Sequence, residues 1–226
     1  MLIYAHRGSS GLYPENTLLA FRQALAAGAH GIELDVHATA DEIPVVIHDR
    51  DVARTTDGSG YVNEFALARL KSLDAGDGER VPTLAEVLDL VEDEIHLDIE
   101  IKGKGIERAV LEVVSGYPNA RWAISSFDWD TLREVRRLAS SAELWPLAEQ
   151  TGDDLFAIAA ELGSHAVSLF ADAYTPDIAA ALDDAGLRVV AWTVNDVAEA
   201  KRVGDLGAYA LCTDFPNRMT AAKGLV

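Results

Sequence analysis

From Ile95 onward the chain alternates short apolar runs with longer amphipathic segments, and this alternation is the strongest constraint on its fold. Strand-like runs fall near Ile95–Lys102, Trp122–Ser125, Leu144–Leu147, Ala166–Phe170, Arg188–Thr193 and Ala208–Cys212. Helical patterns lie between them, near Ile106–Ser115, Thr131–Ala139, Asp154–Leu162, Pro176–Ala185 and Val197–Val203, and a last helix follows Pro216. Pro176 at a first helical position and Gly186 past a last one fit the usual asymmetry of helix ends. Two further strands, Leu2–Ala5 and Gly31–His37, flank a helix over Thr17–Ala27 that stops at Gly28. Repeated strand–helix units imply a parallel sheet. Eight strands predict a closed (β/α)8 TIM barrel, which typically takes about 250 residues. The 226 residues suit one such domain. A doubly wound open sheet is the alternative, but no Gly-x-Gly-x-x-Gly loop follows the first strand.

Two stretches depart from this regularity. Pro44–His48 reads as a strand too close behind Gly31–His37 for a parallel crossover, so it is expected to return as a hairpin. A turn centred on Asp41-Glu42 pairs Ala40 with Ile43 and Asp35 with His48. Directly opposed residues lie roughly 5 Å apart, which sets that histidine beside the carboxylate. Residues Asp51–Arg80 are irregular and polar, with a short helix expected near Asn63–Leu73. They read as a small insertion after the second barrel strand. Thr83-Leu84-Ala85-Glu86 is a capping box that opens a helix to about Val91.

The second strand carries the chemical anomaly. Ile32, Leu34 and Val36 occupy one side of it, and Glu33, Asp35 and His37 the other. A half-solvated strand looks like this too. Yet the next barrel strand repeats the pattern, with His96, Asp98, Glu100 and Lys102 on one parity and Leu97, Ile99 and Ile101 on the other. Barrel strands are covered on both faces and should be almost wholly apolar. If the acidic parity faces inward, Glu33, Asp35 and Glu100 converge at the barrel mouth, where such enzymes place their reacting groups. Three carboxylates held together demand a cation. An all-oxygen site suits one hard divalent ion, Mg²⁺ or Ca²⁺.

His6 ends the first strand, immediately before Arg7, and His48 returns with the hairpin. A metal, two imidazoles and the cations Arg7 and Lys102 are what phosphoryl chemistry requires. The cations hold the non-bridging oxygens, one imidazole accepts a proton from the nucleophile, and the other protonates the leaving oxygen. His30, His37, His96 and His165 read as structural.

Net charge and cysteine content exclude other roles. The net charge of −18 disfavours nucleic acid and anionic membranes as partners. One cysteine, Cys212, permits no internal disulfide and no thiolate zinc site, and reads as a small buried strand residue. The first residues carry neither a basic region nor a long apolar segment, and no run approaches the ~18 apolar residues of a membrane span. A cytoplasmic protein without stable membrane association is expected.

In order and spacing, several motifs resemble the glycerophosphodiester phosphodiesterase family. They are His6-Arg7-Gly8, Pro14-Glu15-Asn16-Thr17, Glu33-Leu34-Asp35, His48-Asp49, Arg54-Thr55-Thr56 and Glu100-Ile101-Lys102. Ser125-Ser126-Phe127, Ala191-Trp192-Thr193-Val194-Asn195 and Thr213-Asp214 extend the likeness over essentially the whole chain. The resemblance implies a (β/α)8 barrel with a small insertion at 51–80. It implies a divalent metal on Glu33, Asp35 and Glu100, His6 and His48 as the acid–base pair, and Arg7 and Lys102 on the phosphate. Glu15 enters as a secondary candidate for metal or substrate, or for fixing the first loop. Asn16 is expected to fix that loop or cap the helix. Phe127 and Trp192 are candidates to pack on glycerol or the leaving alcohol. The implied reaction converts a glycerophosphodiester into sn-glycerol 3-phosphate and an alcohol, with water or the substrate's own glycerol hydroxyl as first nucleophile. The rivals are a related lipid-directed phospholipase, of the phosphatidylinositol-specific or sphingomyelinase D type, and a non-catalytic barrel that binds a phosphorylated ligand.

Overall fold

The computed structural model describes residues 1–225. Its first elements are β1 (Leu2–His6), α1 (Leu18–Ala26), β2 (Gly31–Ala38), β3 (Pro44–Val46), α2 (Leu67–Leu70) and α3 (Leu84–Val91). Strand–helix units follow: β4 (His96–Ile101), α4 (Glu107–Ser115), β5 (Arg121–Ser126), α5 (Trp129–Leu138), β6 (Leu144–Ala148) and α6 (Asp153–Leu162). The chain ends with β7 (Ala166–Phe170), α7 (Pro176–Asp184), β8 (Arg188–Trp192), α8 (Val197–Asp205), β9 (Ala210–Thr213) and α9 (Pro216–Ala221). All of these strands except β3 pair in parallel, in the order β1-β2-β4-β5-β6-β7-β8-β9, and β9 pairs back onto β1 to close the ring. This is the expected (β/α)8 barrel.

Strand parity divides the interior from the shell. Ile32, Leu34 and Val36 of β2, with Leu97, Ile99 and Ile101 of β4, are buried in the main core under the helices. The opposite parity points into the barrel. Its lower end is filled by Tyr4, Ala123, Trp145, Ala166, Val190 and Ala210, a packed plug rather than a pore. Tyr4 meets Trp145 edge-on at 5.7 Å, and His96 stacks on Trp145 at 5.4 Å and bonds the Tyr4 hydroxyl at 3.0 Å. Gly31 is required here, because a Cβ at that position would lie 2.2 Å from the Tyr4 ring. With the floor closed, polar residues of this parity can meet solvent only at the opposite, C-terminal end of the strands.

Helix ends follow their sequence signals. Thr17 Oγ1 accepts from Ala20 N–H at 3.2 Å and is the N-cap of α1. Asn16 is therefore not the cap. Thr83 and Glu86 form the reciprocal capping box of α3.

The hairpin corrects the expected register. Val36 pairs with Val46, His37 with Val45 and Ala38 with Pro44. Ile47 N–H donates to Asp35 O at 2.9 Å, so Ile47, not His48, stands opposite Asp35. A tight two-residue turn needs φ > 0 at both central positions in type I′ or at the first in type II′, and of Asp41 and Glu42 only the second, Glu42, adopts it, at 61°. The chain instead makes a wider turn closed by Thr39, whose backbone N–H donates to Ile43 O at 3.1 Å and whose hydroxyl donates to Asp41 Oδ1 at 2.6 Å. One residue of slip exchanges the two faces of a strand. β3 ends at Val46, and His48 reaches the mouth from the loop beyond it.

The expected helix over Asn63–Leu73 is also corrected. A single 3-10 turn, Val62–Glu64, is followed by extended backbone at Phe65 and Ala66 before the short α2. Contacts from the hairpin turn break it: Ala40 N–H donates to Phe65 O at 2.8 Å, and Asp41 Oδ1 accepts from Leu67 N–H at 2.9 Å. The insertion has its own apolar cluster, in which Val52, Val62, Leu70 and Leu73 pack with Val45, Ile47 and Val81. No helix among the described residues is long and apolar enough to cross a membrane.

Candidate active site

Parallel register brings the acids together. Asp35 on β2 is the direct partner of Glu100 on β4, and His6 on β1 is the partner of Glu33. Glu33, Asp35 and Glu100 are all buried, and one oxygen from each lies within 4.8 Å of the others. Glu33 and Glu100 border a mouth cavity of about 220 Å³ whose wall also includes His6, Arg7, His48 and Lys102.

Fixed donors hold this cluster only in part. Glu33 Oε2 accepts from the Arg7 backbone N–H at 3.0 Å, and Asp35 Oδ2 accepts from Asn16 Nδ2 at 2.8 Å. Asn16 thus fixes the Asp35 carboxylate rather than capping the helix. Arg7 Nε lies 3.2 Å from Asp35 Oδ2 without hydrogen-bond alignment. Lys102 Nζ donates to Glu100 Oε1 at 2.8 Å and stands 3.7 Å from Asp35 Oδ1. Asp35 Oδ1 is buried without any hydrogen-bond partner. An orphaned carboxylate oxygen between two other buried acids fits a hard divalent cation as its missing partner.

The same crowding shifts proton affinities. Burial, then the neighbouring Asp35, pushes Glu100 up to about 8 and raises Glu33 well above the usual carboxylate range. Burial pushes Asp98, one layer below, up to about 7, although Ser125 donates to it at 2.6 Å. In the metal-free protein the folded chain therefore keeps protons that the unfolded chain releases near pH 4 to 5. Stability falls wherever the folded state binds more protons and the pH rises. His96 works the other way, because burial holds it down to about 4, but its influence is confined below about pH 6.5. The melting temperature of the chelated protein should accordingly drop between about pH 6.5 and 8. Added Mg²⁺ or Ca²⁺ should restore it most at the upper end. A chelated protein whose melting temperature is flat or rising across that window contradicts the assignment of these shifts.

Each mouth histidine is held through Nδ1 by a carboxylate. His6 Nδ1 lies 2.6 Å from Asp214 Oδ1, and His48 Nδ1 lies 2.5 Å from Asp49 Oδ1. Asp214 is fixed by Ser10 Oγ at 3.0 Å and Asn195 Nδ2 at 2.6 Å. Burial opposes its ionisation, but the His6 bond and charge bring it down to about 2. The Arg54 hydrogen bond keeps Asp49 far below the usual carboxylate range. With Nδ1–H engaged by an anion, Nε2 is the ring nitrogen that carries the lone pair, and in His48 it accepts from Lys102 Nζ. His6 Nε2 is 3.9 Å from Glu33 Oε2, and His48 Nε2 is 3.2 Å from Lys102 Nζ, so both rings aim into the cleft.

The remaining candidates divide. Phe127 is 44% exposed and meets Trp192 edge-on at 5.4 Å, and both line the cavity. Glu15 stands apart from the acidic triad, its oxygens taken by Arg7 Nη1 at 2.9 Å and by Arg54 at 2.8 Å. His37 Nε2–H donates to the His48 carbonyl at 3.1 Å, and His30 Nδ1 accepts from Ile3 N–H at 3.1 Å. Cys212 is buried, as expected.

Residues 6–218 match the glycerophosphoryl diester phosphodiesterase family. The chain belongs to this family. A Caldanaerobacter subterraneus glycerophosphodiester phosphodiesterase is 36% identical over 96% of both chains. An Oleispira antarctica phosphodiesterase, solved in complex with the product sn-glycerol-3-phosphate, superposes with a TM-score of 0.92 at 29% identity, covering 96% of this chain and 94% of that one. A Thermotoga maritima glycerophosphodiester phosphodiesterase gives 0.85 at 28% identity, covering 96% of both. As a member of the glycerophosphoryl diester phosphodiesterase family, the protein is a phosphoric diester hydrolase. Reading the sequence for site residues missed Asp49, Asp214 and Asp98. Asp49 adjoins His48, and Asp98 shares the parity of Glu100, so both left a signal. Asp214 lies 208 residues from His6, and only closure of the ring brings the two together.

Proposed function

We propose that the chain is a divalent-metal-dependent enzyme that hydrolyses dissolved glycerophosphodiesters to sn-glycerol 3-phosphate and an alcohol. The observation that carries this reading is the meeting of three buried carboxylates with two carboxylate-held imidazoles, both with Nε2 in one cleft. Residues 1–226 act as one domain, with 51–80 as its small insertion. Glu33, Asp35 and Glu100 hold one Mg²⁺ or Ca²⁺. When bound, the ion supplies positive charge against the non-bridging phosphate oxygens. Arg7 and Lys102 add cations on the same group and orient it. One Nε2 takes a proton from the attacking water, or from the substrate's own glycerol hydroxyl with a cyclic phosphate that water opens afterwards, as the attacking oxygen bonds to phosphorus. The other enters the reaction as an imidazolium and gives its Nε2 proton to the alcohol oxygen as the old P–O bond breaks, so the alcohol leaves neutral. Phe127 and Trp192 offer an apolar wall to the glycerol or the alcohol, and Glu15 fixes the loop that carries Arg7.

The acidic chain, with a net charge of −18, favours a dissolved substrate in the cytoplasm over one in an anionic bilayer. Parallel assays with glycerophosphocholine and lysophosphatidylcholine test this choice. Release of sn-glycerol 3-phosphate from the first is expected. Turnover of the lipid alone overturns the choice of a dissolved diester and leaves the phospholipase reading.

A further inference from the structure

One motif is left without a role by the reaction as derived: Arg54-Thr55-Thr56, in the insertion. Arg54 closes a 3-10 turn, Val52–Arg54, that Asp51 caps through Ala53 N–H at 2.7 Å. Its guanidinium grips two carboxylates at once. Nε donates to Asp49 Oδ2 at 2.5 Å and Nη2 to Asp49 Oδ1 at 3.1 Å. Nη1 donates to Glu15 Oε2 and Nη2 to Glu15 Oε1, both at 2.8 Å.

The two anions stand on different loops, and each continues into the cleft. Asp49 holds His48 Nδ1 at 2.5 Å. Glu15 holds Arg7 Nη1 at 2.9 Å, and Arg7 lies against Asp35. A planar fork with five donors can span two carboxylates in fixed orientation, whereas an ammonium is a point charge and cannot.

We propose that Arg54 is a positioning residue for catalysis. It fixes His48 through Asp49 and Arg7 through Glu15, and so makes the insertion a working part of the site. Removing the fork leaves Asp49 and Glu15 as neighbouring anions with nothing between them. The loops bearing His48 and Arg7 then lose their common reference point. Displacements near 1 Å are enough to cost about 10²-fold in rate. Ground-state affinity for the substrate changes less, because Lys102 and the carboxylate cluster are untouched.

The inference rests on the phosphodiesterase reading, and its test separates the two. Steady-state kinetics on glycerophosphocholine are measured for the wild type, Arg54→Ala, Arg54→Lys, Asp49→Asn and the Arg54→Ala/Asp49→Asn double variant, each with and without millimolar guanidinium chloride. An inactive wild type sinks the phosphodiesterase reading. With an active wild type, Arg54→Ala should lose about 10- to 10²-fold in kcat with KM moved by less than about 3-fold. Guanidinium should recover part of that loss, which a merely structural role would not allow. Asp49→Asn should cost far less in the Arg54→Ala background than alone, since both act through one connection. Arg54→Lys, which keeps the charge, should fold and still be impaired. Wild-type kcat in either Arg54 variant, or additive losses without guanidinium rescue, would overturn the proposal.

Discussion

Replacing His48 with alanine should lower turnover of glycerophosphocholine on the order of 10²-fold or more, the scale usual for removing an acid–base group. The ring sits in the wall of the cleft, on a loop rather than in the barrel ladder, so its loss leaves the sheet intact. Its Nδ1 is engaged by Asp49 and its Nε2 faces Lys102 and the cavity, which makes Nε2 the atom that the proposed reaction uses for proton transfer. His165→Ala is the matched control. His165 precedes β7, at the floor end of the barrel, and its carbonyl accepts from Arg188 N–H at 3.0 Å. Steady-state assays of the two variants, with melting temperatures to confirm folding, check the prediction. Equal losses in both would mean that the catalytic groups have been misplaced.

Asp35→Asn should separate stability from activity. Asp35 is fully buried, and after burial itself its charge is the next reason why Glu33 and Glu100 resist ionisation. Removing that charge takes one anion from the cluster, while an amide oxygen can still accept from Asn16 Nδ2. The variant should therefore melt higher than the wild type when both are chelated near pH 8. It should also bind divalent ions more weakly, and turn over on the order of 10²-fold more slowly at limiting metal. Active sites commonly hold strain of this kind at the expense of stability. Differential scanning fluorimetry in EDTA and a calorimetric titration with Mg²⁺ or Ca²⁺ read the two halves independently. A chelated variant less stable than the wild type would contradict the repulsion on which the metal site is argued.

Residue pattern alone made the barrel and its acidic cluster legible, because both depend on rules of period two. Glu33 and Asp35 share a parity with Asp98 and Glu100, and parallel pairing makes Asp35 and Glu100 direct neighbours. No knowledge of side-chain contacts is needed for that step. The hairpin was less legible. Its register depends on backbone dihedrals at Asp41 and Glu42 and on the Thr39 hydroxyl, a local competition that composition does not settle. His48 reached the cleft all the same, by a loop rather than through the expected cross-strand pair. The insertion shows the same limit, since a helical pattern over Asn63–Leu73 yields to bonds from Ala40 and Asp41 that lie far back in the chain.

The supporting shell was hardest to foresee. Asp214, Asn195 and Ser10 meet around His6 only because the ring closes between β9 and β1. Arg54 reaches Glu15 across 39 residues. Such contacts leave no periodic trace, yet they decide where each imidazole and guanidinium points.

Hydrolysis is proposed to require one divalent ion held by Glu33, Asp35 and Glu100. This requirement is tested most directly by measuring sn-glycerol 3-phosphate release from glycerophosphocholine in chelated protein, before and after stepwise addition of Mg²⁺ or Ca²⁺. Release should stop on chelation and return as the metal approaches about one equivalent per chain, the stoichiometry of a single three-carboxylate site. Release that continues undiminished in EDTA would contradict it.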